Sequence, residues 1–455
     1  MFGKVLIANR GEISKRVIKT CKSMGIKTVA VFSEADADNP YIRDADEAYL
    51  IGPAQVRESY LKGNDIIKVA LDAKADAIHP GYGFLSEDPD FARACQEAGL
   101  VFIGPNPDVI QAMGKKIQAR ETMFKNGIPV VKGSKGAIES DEEALEEAET
   151  IGYPVLLKAS GGGGGIGMEV ANGPEEVKKS YTKCKSRAKA CFGDETVYME
   201  KYLGSPRHIE IQIVADRYGN VWHLGERDCS VQRRHQKVIE ESPSPAITEK
   251  IRAEMGEVAV RAASVIGYDS VGTVEMLVDE NNNFYFLEMN TRIQVEHGVT
   301  ELRTGVDLIE LQIRSAAGEK VLPMTYNPEG HSLECRIYAE NPITFFPSCG
   351  VIQELNFPVG DGIRIDHSIE KGYKVTPYYD PLLAKVMVWD SSRKSCIKKM
   401  LTVLNAASIS GISTNIPFLV KALENEEFIK NGATTLFAGK IIAEIKSQNQ
   451  VAKVV

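Results

Sequence analysis

PVLLKASGGGGGIG, residues 154–167, is the stretch on which the reading of the fold turns. A short apolar run, PVLLK, delivers Lys158 to a series of five glycines, Gly161 to Gly165, followed by Ile166 and Gly167. Glycines in series have no Cβ, so successive backbone N–H groups can approach a ligand closely, an arrangement suited to the phosphates of a nucleoside triphosphate. Glycines alone fit a flexible hairpin without a ligand equally well. Lys158 adds a point charge for phosphate and tips the reading towards binding. The spacing is not G-x-x-x-x-G-K-[ST], which excludes a P-loop.

N-terminal to this stretch, short β-branched runs alternate with helical patterns. KVLIA at 4–8, a helix from about Glu12 to Met24, TVAVF at 28–32, a helix near 64–73, AIHP at 77–80, a helix near 90–98 and VFIGP at 101–105 predict a doubly wound α/β unit with a parallel sheet. Its first turn, Asn9-Arg10-Gly11-Glu12, lacks the G-x-G-x-x-G of a dinucleotide fold, which disfavours a dehydrogenase. Residues 114–130 read as a helical connector, and a small α+β segment runs to about residue 203. Its acidic run at 141–149 reads as a solvated helix face. From about residue 204 onward, strand-like runs interleaved with helices near 250–266, 306–317, 393–405 and 434–446 predict a mixed α+β domain.

Two strands in that part, GTVEMLV at 272–278 and FYFLEMN at 284–290, flank an acidic, Asn-rich turn. A four-residue loop at 280–283 places Asp279 opposite Phe284 and Glu275 directly across from Glu288, with Cβ atoms roughly 4.5–5.5 Å apart. Two facing carboxylates repel unless a cation or proton intervenes, and Mg²⁺ suits such a pair. A solvated pair on the outer face of a hairpin is the plain alternative. Beyond Glu288, residues Asn290, Arg292, Gln294 and Glu296 continue a polar alternation while Leu287, Met289, Ile293 and Val295 take the other parity. Period-two alternation keeps one set on one face while the segment stays extended.

The run 232–241, QRRHQKVIEE, mixes cations and carboxylates between an apparent strand at 221–224 and a helix beginning near 248. Arg and Lys there can hold bicarbonate and phosphate oxygens, although as a bare pattern a surface charge cluster explains it better. Arg336 in LECRIYAE is equally open to an internal salt bridge.

Composition bounds these readings. The chain has 455 residues, enough for two or three cores, with 43% hydrophobic and 25% charged residues, as in an ordinary globular protein. A net charge of −8 argues against nucleic acid as a partner. No apolar stretch approaches the ~20 residues of a membrane span, so a cytoplasmic protein is expected. Eight scattered cysteines without a Cys-x-x-Cys read as buried free thiols.

Taken in order, VLIANRGEI (5–13), HPGYGFLSE (79–87), FIGP (102–105), ASGGGGG (159–165), MEKYL (199–203), ERDCSVQRRHQK (226–237), EMNTRIQVEH (288–297), ECRIYAE (334–340) and YYDPLLAK (378–385) resemble the biotin carboxylase family over nearly the whole chain. The resemblance implies an ATP-grasp fold of mixed α/β and α+β class. Its expected parts are an N-terminal α/β domain at 1–113, an ATP-grasp domain at 114–330 with a glycine-rich lid at about 131–203, a C-terminal domain at 331–446 and a tail at 447–455.

By motif position, the resemblance implies that Lys116, Lys158, Gly164, Gly165, Glu200, Lys201, Leu203, His208, Gln232 and His235 surround ATP, with Glu275 and Glu288 also at the nucleotide. Glu275, Glu288 and Asn290 would hold Mg²⁺, or Mn²⁺ in its place. Lys237, Arg292 and the backbone of Val295 would hold bicarbonate, Glu296 would be its base, and Arg336 would stabilise the biotin enolate. The implied activity is ATP-dependent carboxylation of biotin through carboxyphosphate, the first half-reaction of an acyl-CoA carboxylase such as that for acetyl-CoA or propionyl-CoA. A two-subunit pyruvate carboxylase, or another ATP-grasp ligase that ignores biotin, is the alternative; a silent scaffold would have no use for this much buried charge. The expected partners are a biotin carboxyl carrier protein and a carboxyltransferase subunit, with a homodimer as the expected assembly. No Met is followed by Lys, so the Ala-Met-Lys-Met site of a biotinyl domain is absent and biotin would sit on a separate carrier. Ile166, Glu169, Gly298, Asn341 and Cys349 depart from the usual pattern without removing a residue assigned to chemistry.

Overall fold

The computed structural model describes residues 1–161, 167–321, 328–430 and 432–451. Gly164 and Gly165, expected at ATP, and Ile166 lie outside them.

The N-terminal runs form the expected parallel sheet, five strands in the order Glu47–Leu50, Lys27–Phe32, Lys4–Ile7, Ala77–His79 and Val101–Phe102. Helices Gly11–Ser23, Gly63–Asp72 and Pro89–Glu97 connect or flank them. The edge strand Glu47–Leu50 was not anticipated; none of its four residues is fully buried, so it carries no apolar run to announce it. Strand order reverses between the neighbours Lys4–Ile7 and Ala77–His79, the kind of switch point at which open α/β sheets receive ligands. The two loops beyond these strands are tied together by Asn9, whose Nδ2 donates to the carbonyls of Pro80 (2.7 Å) and Tyr82 (2.8 Å). Gly81 makes this approach possible: its φ is +64°, and a Cβ there would lie 2.8 Å from Asn9 Nδ2.

The C-terminal two thirds build an eight-stranded antiparallel sheet. Its order is Phe284–Asn290, Val271–Val278, Arg207–Ala215, Val221–Arg233, Gln236–Ser242, His331–Tyr338, Leu382–Asp390 and Ile363–His367. This sheet is continuous across residue 330, where two units were expected to meet, because Gln236–Ser242 pairs directly with His331–Tyr338. Helix Glu249–Val265, capped by Thr248, packs Met255, Val258, Ala259 and Ala262 at helical spacing into the core beside the strands.

Residues 232–241 correct the sequence reading. They are not a surface segment between a short strand and a helix but the two arms of a hairpin, Val221–Arg233 and Gln236–Ser242. Charged residues hide the strand pattern here because their partners lie on other strands. The hairpin turns on Arg234 and His235, both left-handed with φ of 50° and 64°. Two non-glycine residues in that region cost of order 1 kcal/mol each, a strain that clusters at functional sites.

The Gly-rich stretch belongs to a third body. Strands Met168–Ala171, Val155–Ala159 and Val197–Lys201 form an antiparallel sheet covered by helices Asp141–Ile151 and Pro174–Phe192. Ile138, Ala144, Val155, Leu157, Val177 and Met199 belong to a core separate from that of the large sheet. The acidic helix is capped by Ser140 and buries Ala144, Ala148 and Ile151, leaving most of its carboxylates to solvent as expected. Among the described residues, no helix is long and apolar enough to cross a membrane.

Candidate active site

Lys237 stands at the centre of three carboxylates. Its Nζ donates to Glu210 Oε2 (2.6 Å), Glu275 Oε1 (2.8 Å) and Glu296 Oε1 (2.7 Å). Burial opposes its charge, but Glu210, Glu275 and Glu296 outweigh that and hold the ammonium well above its ordinary pKa. Burial likewise favours a neutral Glu296, yet Lys237, Arg336 and Arg227 hold it well below the usual carboxylate range. Glu275 is also depressed against burial, by Lys237 and His208. Lys237, Glu275 and Glu296 therefore favour their charged forms, and each charge depends on its neighbours.

Arg227 pins this cluster from beneath. Fully buried, it uses all five donors: Nε to Glu210, Nη1 to Gln212 and Thr300, and Nη2 to Thr273 and Gln294. Gln294 Nε2 and Asn290 Nδ2 then donate to Glu275 Oε1 at 2.7 and 2.9 Å. The polar alternation from Glu288 survives as a strand only to Asn290; beyond it the chain turns, and helix His297–Thr304 follows. Gln294 and Glu296 still converge on Lys237 and its partners because the turn, rather than a strand face, aims them.

The N-terminal domain holds the same turn. Glu87 accepts from Arg292 Nε (2.9 Å) and Thr291 N (3.1 Å), and Arg292 Nη2 reaches Asn290 Oδ1 at 2.9 Å. From the C-terminal side, the fully buried Lys385 donates to the Val295 carbonyl at 2.9 Å and pairs with Glu12 at 3.1 Å. Arg336 lies between two carboxylates, with Nη2 donating to Glu296 Oε2 at 2.9 Å and Nε 2.7 Å from Glu240 Oε1. The internal salt bridge entertained for Arg336 is thus present, and it joins the residue to the cluster.

Glu275 and Glu288 are direct cross-strand partners, as expected, but by a different route. The turn closes one residue wider than predicted, with Val278 rather than Asp279 opposite Phe284, and a bulge between Met276 and Glu275 restores the register. Glu288 is 34% exposed and pairs with Lys116 at 3.3 Å. Oxygen donors of this kind, two carboxylates in register with an amide two residues on, fit Mg²⁺. Among the described residues, two further groups offer three ligand atoms within 4.8 Å: His208 with Glu210 and Glu275, and Glu210 with Cys229 and Glu296.

The remaining predicted residues divide. His208 Nε2 lies 2.9 Å from Glu275 Oε2 and its Nδ1 is 3.0 Å from Gln232 Nε2, so both join the cluster. Lys158 pairs with Glu200 on the three-stranded sheet, where Arg120 adds a second cation 3.4 Å from Glu200. Lys201 instead donates to the carbonyls of Gly152 and Tyr153, and Leu203 lies just past the same strand, half-buried. His235 is exposed at the hairpin tip. Glu210, Arg227, Glu240, Glu87, Glu12 and Lys385 were not anticipated. Glu210 was within reach, since His208, Glu210 and Gln212 alternate with Ile209, Ile211 and Ile213; the others depend on partners remote in sequence.

One departure has a structural counterpart. A Cβ on Gly298 would come within 2.1 Å of Met387 Sδ, so glycine at this position leaves the space that Met387 fills beneath helix His297–Thr304.

This ring of cations and carboxylates sits between a doubly wound domain and a grasp-like pair of α+β bodies, an architecture of the ATP-dependent ligases. Three family models cover the chain in order: Biotin carboxylase, N-terminal domain, at residues 1–110; Carbamoyl-phosphate synthase L chain, ATP binding domain, at 115–324; and Biotin carboxylase C-terminal domain at 334–440. The chain belongs to the biotin carboxylase family. It is 53% identical to a biotin carboxylase of Halalkalibacterium halodurans over 96% of this chain and 97% of that one. It is 48% identical to a pyruvate carboxylase subunit of Methanothermobacter thermautotrophicus, over 96% and 89% respectively. The biotin carboxylase domain dimer of Hydrogenobacter thermophilus 2-oxoglutarate carboxylase, solved with MgADP, ADP and bicarbonate, superposes with a TM-score of 0.94 at 47% identity, covering 97% of this chain and 99% of that one.

Proposed function

We propose that the chain carboxylates biotin, with ATP and bicarbonate as co-substrates, and that the Lys237 cluster is where bicarbonate is held and deprotonated. The observation that carries this reading is one ammonium bonded to three buried carboxylates, one of which, Glu296, also meets Arg336. Such a site is costly to bury unless the charges are used or matched. Bicarbonate entering beside Lys237 and Arg292, against the Val295 backbone, brings a negative charge that competes for the cations now holding Glu296. Weakening those ion pairs raises the basicity of Glu296 as its substrate arrives, and it takes the bicarbonate proton.

The bicarbonate oxygen then attacks the γ-phosphorus and the bond to ADP breaks, giving carboxyphosphate. Carboxyphosphate splits to CO₂ and phosphate; phosphate takes the N1′ proton of biotin, and N1′ bonds to CO₂. Arg336 neutralises the enolate that forms on the biotin ring. Lys116, Lys158, Glu200, Lys201, Leu203, His208, Gln232 and His235 are read as lining the path of ATP. Glu275, Glu288 and Asn290 would hold Mg²⁺, which would supply neutralisation of phosphate charge; positioning and charge compensation of this sort dominate phosphoryl transfer. The body carrying Lys158 serves as a lid that keeps water from carboxyphosphate.

Biotin arrives on a separate carrier protein, and a carboxyltransferase subunit passes the carboxyl on in the cytoplasm, with this chain as a homodimer. The acceptor is read as an acyl-CoA. That relatives of similar identity are named for pyruvate and 2-oxoglutarate supports placing acceptor choice on the transferase rather than here. Incubation with ¹⁴C-bicarbonate, MgATP and free biotin tests the reading: acid-labile label on biotin, dependent on ATP, is expected. ATP turnover without labelled biotin would favour a ligase acting on another carboxylate.

A further inference from the structure

Two glutamates outside the reacting set face each other beside Arg336. Glu240, on Gln236–Ser242, and Glu334, on His331–Tyr338, are direct antiparallel partners, and both are 0% exposed. Among the described residues, none donates a hydrogen bond to any of their four carboxylate oxygens. Arg336 Nε approaches Glu240 Oε1 to 2.7 Å as an ion pair. Carboxylates this buried, with Cβ atoms about 4.5–5.5 Å apart and, among the described residues, no donor beyond the Arg336 ion pair, resist ionising together. We propose that Glu240 and Glu334 share one proton, and that the singly charged pair positions Arg336 for the biotin half of the reaction; the second clause rests on the role given to Arg336 above.

The surroundings support one proton rather than none or two. The charged groups around the pair are Arg336 beside Glu334 on its own strand, Lys237 on the strand of Glu240, and Glu210 from Arg207–Ala215. Lys385 from Leu382–Asp390 and Glu296 from the turn before helix His297–Thr304 also act on it, as do Tyr338 and Cys335 on the strand of Glu334. The helix presents Gly298 to Glu334, with no side chain to donate. Burial, with Glu296 and Glu210 adding to it against Arg336 and Lys237, raises Glu240 to about 7. Burial and then Glu240 push Glu334 well above the ordinary range. With one negative charge on the pair, Arg336 divides between Glu240 and Glu296 and remains exchangeable for a developing enolate. A second charge would draw it onto the pair, and a neutral pair would release it wholly to Glu296.

Infrared spectra of the full chain carrying ¹³C-carboxyl glutamate test the sharing directly. An isotope-shifted band of un-ionised carboxyl is expected at neutral pH and should weaken in both Glu240→Gln and Glu334→Gln. Absence of the band, or equal intensity in all three proteins, overturns the sharing whether or not the enzyme is active. For the positioning role, biotin carboxylation is followed from about pH 6 to pH 10 in the wild type and in Glu334→Gln. Glu334→Gln leaves Glu240 as the only ionisable member, so the alkaline limb should move by about one pH unit or more. An unchanged limb, or a shared proton in a protein that forms no carboxybiotin, overturns the role at Arg336 while leaving the spectroscopic result intact.

Discussion

The Lys237 cluster and the Lys158 body each set a lysine against glutamate, and they differ in what holds the lysine. Lys237 has three carboxylate partners, two on the central sheet and one in the turn before helix His297–Thr304, locked from below by the five bonds of Arg227. Lys158 has one, Glu200, on a three-stranded sheet with a core of its own, and Glu200 keeps Arg120 in reserve. The difference teaches a division of labour. Proton removal from a small anion needs fixed geometry and therefore a rigid, mutually dependent network, whereas gripping a triphosphate needs charge on a body that can be placed as a unit.

Breaking each lysine separates the two designs. Lys237→Met should abolish bicarbonate-dependent ATP hydrolysis and cost about 3–5 kcal/mol of stability, because it removes the cation that three buried carboxylates share. Lys158→Met should weaken ATP binding but cost less than about 2 kcal/mol, since Arg120 remains near Glu200. Thermal melts of the two variants check this, and equal destabilisation would erase the distinction. Glu288→Gln comes next: ATPase activity at limiting Mg²⁺ should fall about 100-fold, while stability changes by no more than ~1 kcal/mol because the pair with Lys116 is partly open to solvent.

Acid–base behaviour sharpens the contrast within the sheet. Glu275 and Glu296 are depressed, so their contribution is present above the ordinary carboxylate range and is lost only as pH falls through their low folded values. Glu240 is raised to about 7, so between about 4.5 and 7 the unfolded chain has lost a proton that the folded one keeps, and stability declines as pH rises. Urea unfolding across that window should show the decline in the wild type. Glu240→Gln should flatten it, an effect on the order of 1–3 kcal/mol. The smallest effect is expected at the glycine-rich segment. Ile166→Arg should change the ATP KM less than about tenfold, because a solvent-screened charge adds ~0–1 kcal/mol, whereas Gly164→Val should cost far more in kcat/KM. Steady-state kinetics on both variants decides between backbone grip and edge charge.

Much of this was legible in the sequence where one rule acted alone. The parallel sheet was readable, apart from its edge strand Glu47–Leu50, because its other strands lie in short apolar runs, and the Glu275–Glu288 pairing because hairpin register is local. Even there the agreement came from two offsets, a wider turn and a bulge, which cancel. The hairpin through Arg233 and Lys237 was hidden because its charges are buried by ion pairs to residues 27 to 107 positions away, such as Glu210, Glu296 and Glu340. Lys385 and Glu12 were illegible for the same reason, lying 373 positions apart by number. Burial of charge is a property of the assembled sheet, and no local pattern announces it.

The measurement that bears most directly on the central claim is ADP release by wild type and Lys237→Met, with and without bicarbonate and with and without free biotin. The account predicts wild-type turnover that requires bicarbonate and rises with biotin, and neither response in the variant. Turnover indifferent to bicarbonate and biotin, or retained in Lys237→Met, would contradict it.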